Sequence, residues 1–257
     1  DLARVKAYGV VIAPLLARAE LAGLRATISQ AEVGVFGGRV TAQGGVDLGA
    51  KVPTYQFKTD IRNLDLGAAA RSQLAMFKNT LTGTVEATCK GTGASFNTSR
   101  AKANLSLQGS FRAQDAVFST IDIGKMVGEG LNAALEKASA QVPVLKNARL
   151  QSVPAGKAEY EQVTANFTVA KGEFQMPNFV TKARAGQGID LEGRTRLNLL
   201  NETVDAQWQV IDRSNITKAR DISVQVEGIE VPHILAKGDG PFSFPVTVGC
   251  KWTSPCY

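Results

Sequence analysis

A chain of 257 residues, 44% hydrophobic and 20% charged, can bury roughly 70–75% of its unfolded surface, and such a composition excludes a disordered polypeptide. The net charge of +6 comes from scattered Lys and Arg, so the clustered cations that a nucleic-acid track requires are missing. The longest apolar run, Ala7 to Ala17, is eleven residues with Pro14 inside it, against about twenty needed to span a bilayer. With neither an initiator Met nor a signal peptide, the sequence reads as a processed fragment whose anchor or targeting segment lies outside it.

In chain order, residues 1–20 place Leu2, Val5, Val10, Ile12 and Leu16 between Arg4, Lys6 and Arg18. This predicts a helical N-terminal segment interrupted at Pro14. Residues 21–64 predict three strands. Leu24, Ala26 and Ile28 alternate with Arg25, Thr27 and Ser29. A turn at Phe36-Gly37-Gly38 precedes Val40 to Leu48. Tyr55, Phe57, Thr59 and Ile61 then oppose Gln56, Lys58, Asp60 and Arg62, the alternation of a sheet with one wet and one dry face. Leu64-Asp65-Leu66-Gly67 opens a helix predicted over 66–78, with Asp65 as its cap.

The next strand puts Leu81, Gly83, Val85, Ala87 and Cys89 on one face. A Ser/Asn/Arg-rich stretch, Ser95 to Lys102, leads to the middle of the chain. There Leu105, Leu107, Phe111 and Ala113 alternate, a turn is expected around Gln114-Asp115, and Ile121-Asp122-Ile123-Gly124 opens a second helix over 122–140. The chain thus twice writes strand, apolar-Asp-apolar-Gly, helix. Residues 141–156, with Pro143 and Pro154, are expected to be a mobile loop within a single 1–257 unit. From Tyr160 on the pattern is nearly pure β, with turns at Lys171-Gly172 and Leu200-Asn201-Glu202. Short turns throughout favour antiparallel meanders. The fold class expected is mainly β with a few helices.

Catalytic chemistry finds little footing. The one histidine, His233, sits between Pro232 and Ile234, and neither nucleophile elbow, phosphate loop nor paired-acid signature occurs. Three cysteines without zinc spacing argue against a metal site. Gly128-Glu129-Gly130-Leu131-Asn132-Ala133 matches a dinucleotide fingerprint in letters only, because it falls inside a helical period rather than at a strand-to-helix turn. The chain is therefore read as a non-enzyme with no cofactor and no metal. Asn-x-Ser/Thr triplets at Asn97, Asn104, Asn166, Asn201 and Asn215 are read as a by-product of strand alternation, with glycosylation as the other reading.

Taken in succession, several segments resemble the C-terminal region of AsmA-like envelope proteins of Gram-negative bacteria. They are Val35 to Val40 (VFGGRV), Tyr55 to Gly67 (YQFKTDIRNLDLG), Leu81 to Thr84 (LTGT) and Gly109 to Gly124 (GSFRAQDAVFSTIDIG). Val163 to Gly172 (VTANFTVAKG), Ile189 to Gly193 and the closing Phe244 to Cys256 (FPVTVGCKWTSPC) complete the series, which spans roughly 35–257. The closing segment departs from the family in carrying Cys250 and Cys256.

The resemblance implies a periplasmic protein tethered to the inner membrane through a segment outside this chain. It also implies a chorein-like fold, amphipathic strands curled into an open groove. The function expected is a non-enzymatic groove module that shields phospholipid or other acyl-chain lipid between inner and outer membranes. Its partners would be lipid and membrane, not nucleic acid. The candidate lining is Phe57, Ile61, Val85, Phe111, Phe167, Val169, Trp208 and Val210. The alternative is a periplasmic assembly factor whose sheet edges pair with outer-membrane client strands. In an oxidising periplasm a disulfide between Cys250 and Cys256 is expected, with Pro255 favouring the turn between them, and Cys89 is expected to stay reduced.

Overall fold

The structure, a computed structural model, describes residues 5–7, 10–73, 81–122, 128–129, 132, 136, 139–140, 149–150, 157–184, 189–212, 223–226, 229–232, 242–251 and 254–256. The N-terminal half supplies β1 (Val5–Ala7), β2 (Val10–Ala22), β3 (Arg25–Val35), β4 (Gly38–Asp47), β5 (Thr54–Asp65), α1 (Leu66–Gln73), β6 (Leu81–Ala94), α2 (Thr98–Asn104) and β7 (Ser106–Asp122). Then come β8 (Arg149–Leu150), β9 (Lys157–Ala170), β10 (Glu173–Ala183), β11 (Ile189–Asn198) and β12 (Thr203–Asp212). The chain closes with β13 (Ser223–Val226), β14 (Ile229–Pro232), β15 (Phe242–Lys251) and β16 (Ser254–Cys256).

Thirteen strands form one sheet in the order β1-β2-β3-β4-β5-β6-β7-β9-β10-β11-β12-β15-β16. Every neighbouring pair in it is antiparallel. The remaining three strands make a small sheet, β14-β13-β8. The large sheet is open and curled, not closed into a barrel, and the mainly-β fold class read from the alternation is the one observed.

The tight turns explain the meander. Phe36 and Gly37 both lie at positive φ, 48° and 72°, as do Lys171 and Gly172 at 52° and 78°. That is the conformation of a two-residue hairpin loop whose twist matches that of its flanking strands. β5 ends in Asp65, whose Oδ1 accepts the backbone N–H of Ala68 at 2.9 Å. The cap expected for α1 is therefore in place, and its described part ends at Gln73 with 74–80 outside the described residues.

Two expectations need revision, and one helix was not expected. Residues 10–22 are a strand, not a helix. A nearly continuous apolar run fits either element by periodicity, and pairing decided it: β2 runs beside β3 from Ile12↔Val35 to Ala22↔Arg25, with an irregularity between Ile12 and Leu15 that takes up Pro14. The turn at Gln114-Asp115 is a bulge inside one long strand. Asp115 takes φ 51° and the register shifts opposite Thr82–Thr84, which bends the strand without ending it. The Ser/Asn/Arg-rich stretch holds a short helix, α2, where Asn97 Oδ1 accepts the N–H of Arg100 at 3.2 Å. Asp122 closes β7 opposite Lys157; helical backbone is described at 128–129, 132, 136 and 139–140, while the Asp122 side chain and residues 123–127 lie outside the described residues, and with them the capping expected there. Of the stretch 141–156, only Arg149–Leu150 is described, as β8 paired with β13.

Candidate functional site

Residues directly opposite one another in an antiparallel pair point to the same face, so the register defines a continuous apolar surface. One row runs Val40–Ile61–Ala87–Phe111–Ala165–Phe179–Gly193–Trp208–Val246, crossing nine strands. A second runs Gly44–Phe57–Gly91–Leu107–Val169–Phe174–Leu197–Val204. Strand β6 shows the cause in its sequence: Val85, Ala87, Cys89 and Gly91 are half-buried, while Thr84, Glu86, Thr88 and Lys90 between them are exposed.

All eight candidate lining residues fall on this one face, but in two environments. Val210 is 1% exposed, within a buried cluster that includes Val163, Ile189, Leu191, Ala206, Val246 and Val248, while Val169, 4% exposed, is buried outside that cluster. Val85, Phe111 and Trp208 pack partly buried against it. Trp208 stacks on Phe179 at 6.1 Å and its indole Nε1–H donates to Thr195 Oγ1 at 3.0 Å. Phe57, Ile61 and Phe167 are half-buried outside that cluster. The packed part of the face thus draws on β7, β9, β11, β12 and β15, while the face is half-buried over β4 to β6 and at Phe167 on β9.

Glycines shape the open part. Phe57 stands opposite Gly91 and Phe167 opposite Gly109. A Cβ at Gly91 would meet Phe57 Cζ at 3.0 Å, and one at Gly109 would meet Phe167 Cζ at 2.7 Å. Each ring therefore lies across its neighbour's backbone. The rings also tile: Phe111–Phe167 at 6.4 Å, Phe167–Phe174 at 5.5 Å and Tyr55–Phe57 at 6.4 Å between centroids. These offset contacts are favourable beyond area burial and leave a low apolar floor. Cys89 sits on it with a free thiol, which burial pushes above its ordinary pKa, partly offset by the Thr59 hydroxyl.

The other face is polar. Between two rows of its side chains runs a furrow of about 840 Å³, where Lys58 and Lys90 stand directly opposite each other and Gln43, Gln108 and Thr168 continue the row. Among the described residues, no group of three or more His, Cys, Asp or Glu is placed to hold a metal ion. His233 and Asn215 lie outside the described residues. Asn97 serves α2 as a cap, a structural use for one of the five Asn-x-Ser/Thr triplets.

At the closing edge, Cys250 is disulfide-bonded. β16 sets Cys256 opposite Gly249, next to the Cys250↔Pro255 pair; the Cys256 side chain lies outside the described residues. Sequence reasoning missed the glycine partners of the rings, because their meaning rests on register and not on alternation.

No family model matches the chain, and neither a curated protein nor a solved structure matches it.

Proposed function

We propose that this chain is a non-enzymatic lipid-binding module of a Gram-negative envelope, a stretch of apolar groove along which phospholipid acyl chains are sheltered between inner and outer membranes. One observation carries the reading: an apolar face continuous across neighbouring strands, half-exposed over β4 to β6, on a sheet that does not close on itself. Each methylene moved from water onto such a face gains about 0.8 kcal/mol. A row of similar contacts without a single deep site suits passage rather than tight retention. The resemblance to AsmA-like proteins supports phospholipid as the occupant and the periplasm as the location.

Native mass spectrometry of protein purified gently from an envelope-bearing host tests this. The expected spectrum carries phospholipid adducts, which Phe57→Asp and Phe167→Asp variants lose. A lipid-free wild-type spectrum overturns the reading.

An edge observation favours a second reading, an assembly factor that pairs with client strands. β1 covers only Val10–Ile12 of β2, so among the described residues Leu15–Ala22 has a strand partner on the β3 side alone. Exposed backbone of this kind accepts an added strand. Protein without lipid, but with a peptide held at that edge, is the outcome that would favour it.

A further inference from the structure

The sheet has two rims, and they differ. Five exposed large hydrophobics, Leu24, Leu48, Val52, Phe96 and Leu200, all sit in connections at one of them: β2–β3, β4–β5, β6–α2 and β11–β12. Leu21, 74% exposed, lies just before the first. Among the described residues, the opposite rim, with the Phe36-Gly37 turn, α1 and Arg184, carries none of the exposed large hydrophobics.

Backbone hydrogen bonds link the connections of the apolar rim. Leu48 N–H donates to Leu24 O, Ser95 N–H to Pro53 O and Leu199 N–H to Gly172 O, each at 2.8 Å, so adjacent connections are tied to one another. Phe96 stacks on Tyr55 with centroids 5.8 Å apart. Leu200 lies over Gly172, where a Cβ would meet its Cδ1 at 2.8 Å.

The same rim is electropositive. Lys51, Arg100, Lys102, Lys171 and Lys251 are exposed there, and among the described residues none of them forms an ion pair. Of the acids beside them, Asp47 is held by Arg25 at 3.0 Å and Glu173 accepts from Gln175 at 3.0 Å, while Glu20 and Glu202 are exposed.

We propose that this rim docks onto an anionic lipid surface, with the apolar tips entering the interface and the lysines resting among the headgroups. Spacing and charge select that occupant. The tips are strung along the rim and not gathered into one patch: the β2–β3, β4–β5 and β6–α2 connections follow at steps of two strands, about 10 Å, with Leu24 against Gly49 of the next connection, and Leu200 lies four strands beyond Phe96. A protein partner needs a contiguous packed patch, whereas each tip can enter a bilayer interface separately. Unpaired cations beside apolar tips match an anionic leaflet, and lysine stems can lie along the apolar zone with their ammonium groups in water. The inference goes beyond the groove reading and does not depend on it.

Flotation of the full chain with vesicles tests it, using phosphatidylcholine alone and phosphatidylcholine mixed with phosphatidylglycerol. The wild type is expected to float with the mixed vesicles, less so as salt rises, and hardly with the neutral ones. Lys51→Ser with Lys171→Ser should weaken binding about fivefold per lysine. Lys58→Ser with Lys90→Ser, the same charge change on the polar face, should leave it near wild type. In Leu24→Trp, emission in excess of the wild type should be quenched by brominated lipid in the mixed vesicles, which reads insertion directly. The proposal is overturned if wild type stays unbound, if the polar-face pair weakens binding as much as the rim pair, or if the Leu24→Trp emission is not quenched. Adducts in the native spectrum without vesicle binding would sink this proposal alone, and vesicle binding without adducts would sink only the groove.

Discussion

Tyr160 shows how burial at a single residue sets a pH response. It is 2% exposed, and its phenol is pushed far above the ordinary value, first by burial and then by the negative charge of Asp190, with the Thr181 hydroxyl acting the other way. The folded state therefore keeps this proton at a pH where the unfolded chain, with a phenol pKa of about 10, releases it. Stability from this source is complete below pH about 10 and is lost as pH climbs above it, at up to about 1.4 kcal/mol per pH unit. Tyr160→Phe keeps the ring and removes the titration. Thermal melts of both proteins at rising alkaline pH should show the wild type losing stability faster than the variant; parallel curves would contradict the assignment. Alternation counted back from Phe167 and Ala165 would put Tyr160 on the wet face; the irregularity between Gln162 and Tyr160 turns it inward. The Asp190 carboxylate near it was not legible either, because Asp190 belongs to a different strand and is brought close only by the sheet order.

At the scale of elements, Asp65 is where local sequence and structure agree most closely. The residue ends β5, its carboxylate caps the first turn of α1, and Asp65 N–H donates to Phe36 O at 2.9 Å across to the neighbouring hairpin. Asp65→Ala removes the side-chain acceptor and leaves the backbone bond, so it should cost about 1 kcal/mol in urea denaturation, with Asp65→Asn recovering most of it. An unchanged midpoint for Asp65→Ala would mean the cap contributes nothing. Caps and two-residue turns are local chemistry, and so they could be read from consecutive letters. The strand β2 could not. Val10 to Leu16 is apolar at nearly every position, which suits a strand or a buried helix equally, and only the partner strand β3, Arg25–Val35, distinguishes them. The bulge at Asp115 was misread for a related reason: a residue at positive φ with polar neighbours looks like a turn until the flanking strands on both sides are known to continue past it.

Across the whole molecule, the meander followed from short turns and alternating strands, but the division of the dry face did not. Phe167 and Trp208 look alike in sequence, each an aromatic in an alternating strand. In the structure Phe167 is half-buried beyond the packed cluster, while Trp208 leans on that cluster with its indole bonded to Thr195. A carboxylate costs little where water reaches it and several kcal/mol where it does not. The two positions therefore separate folding from lipid binding. Phe167→Asp is expected to stay folded, lowering stability by about 1–2 kcal/mol, and to lose its lipid. Trp208→Asp, which strands a charge against Val210 and Thr195 in the packed half, is expected to lose more than about 3 kcal/mol or to fail to fold. Photocrosslinkers report the same split without a charge: one at Phe57 or Phe167 should capture lipid, and one at Trp208 should capture neighbouring protein. Urea melts together with crosslink mass spectra decide it. If Phe167→Asp unfolds as readily as Trp208→Asp, and crosslinkers at Phe57 and Phe167 return only protein, the face at Phe57 and Phe167 is covered core rather than a lipid-accessible wall.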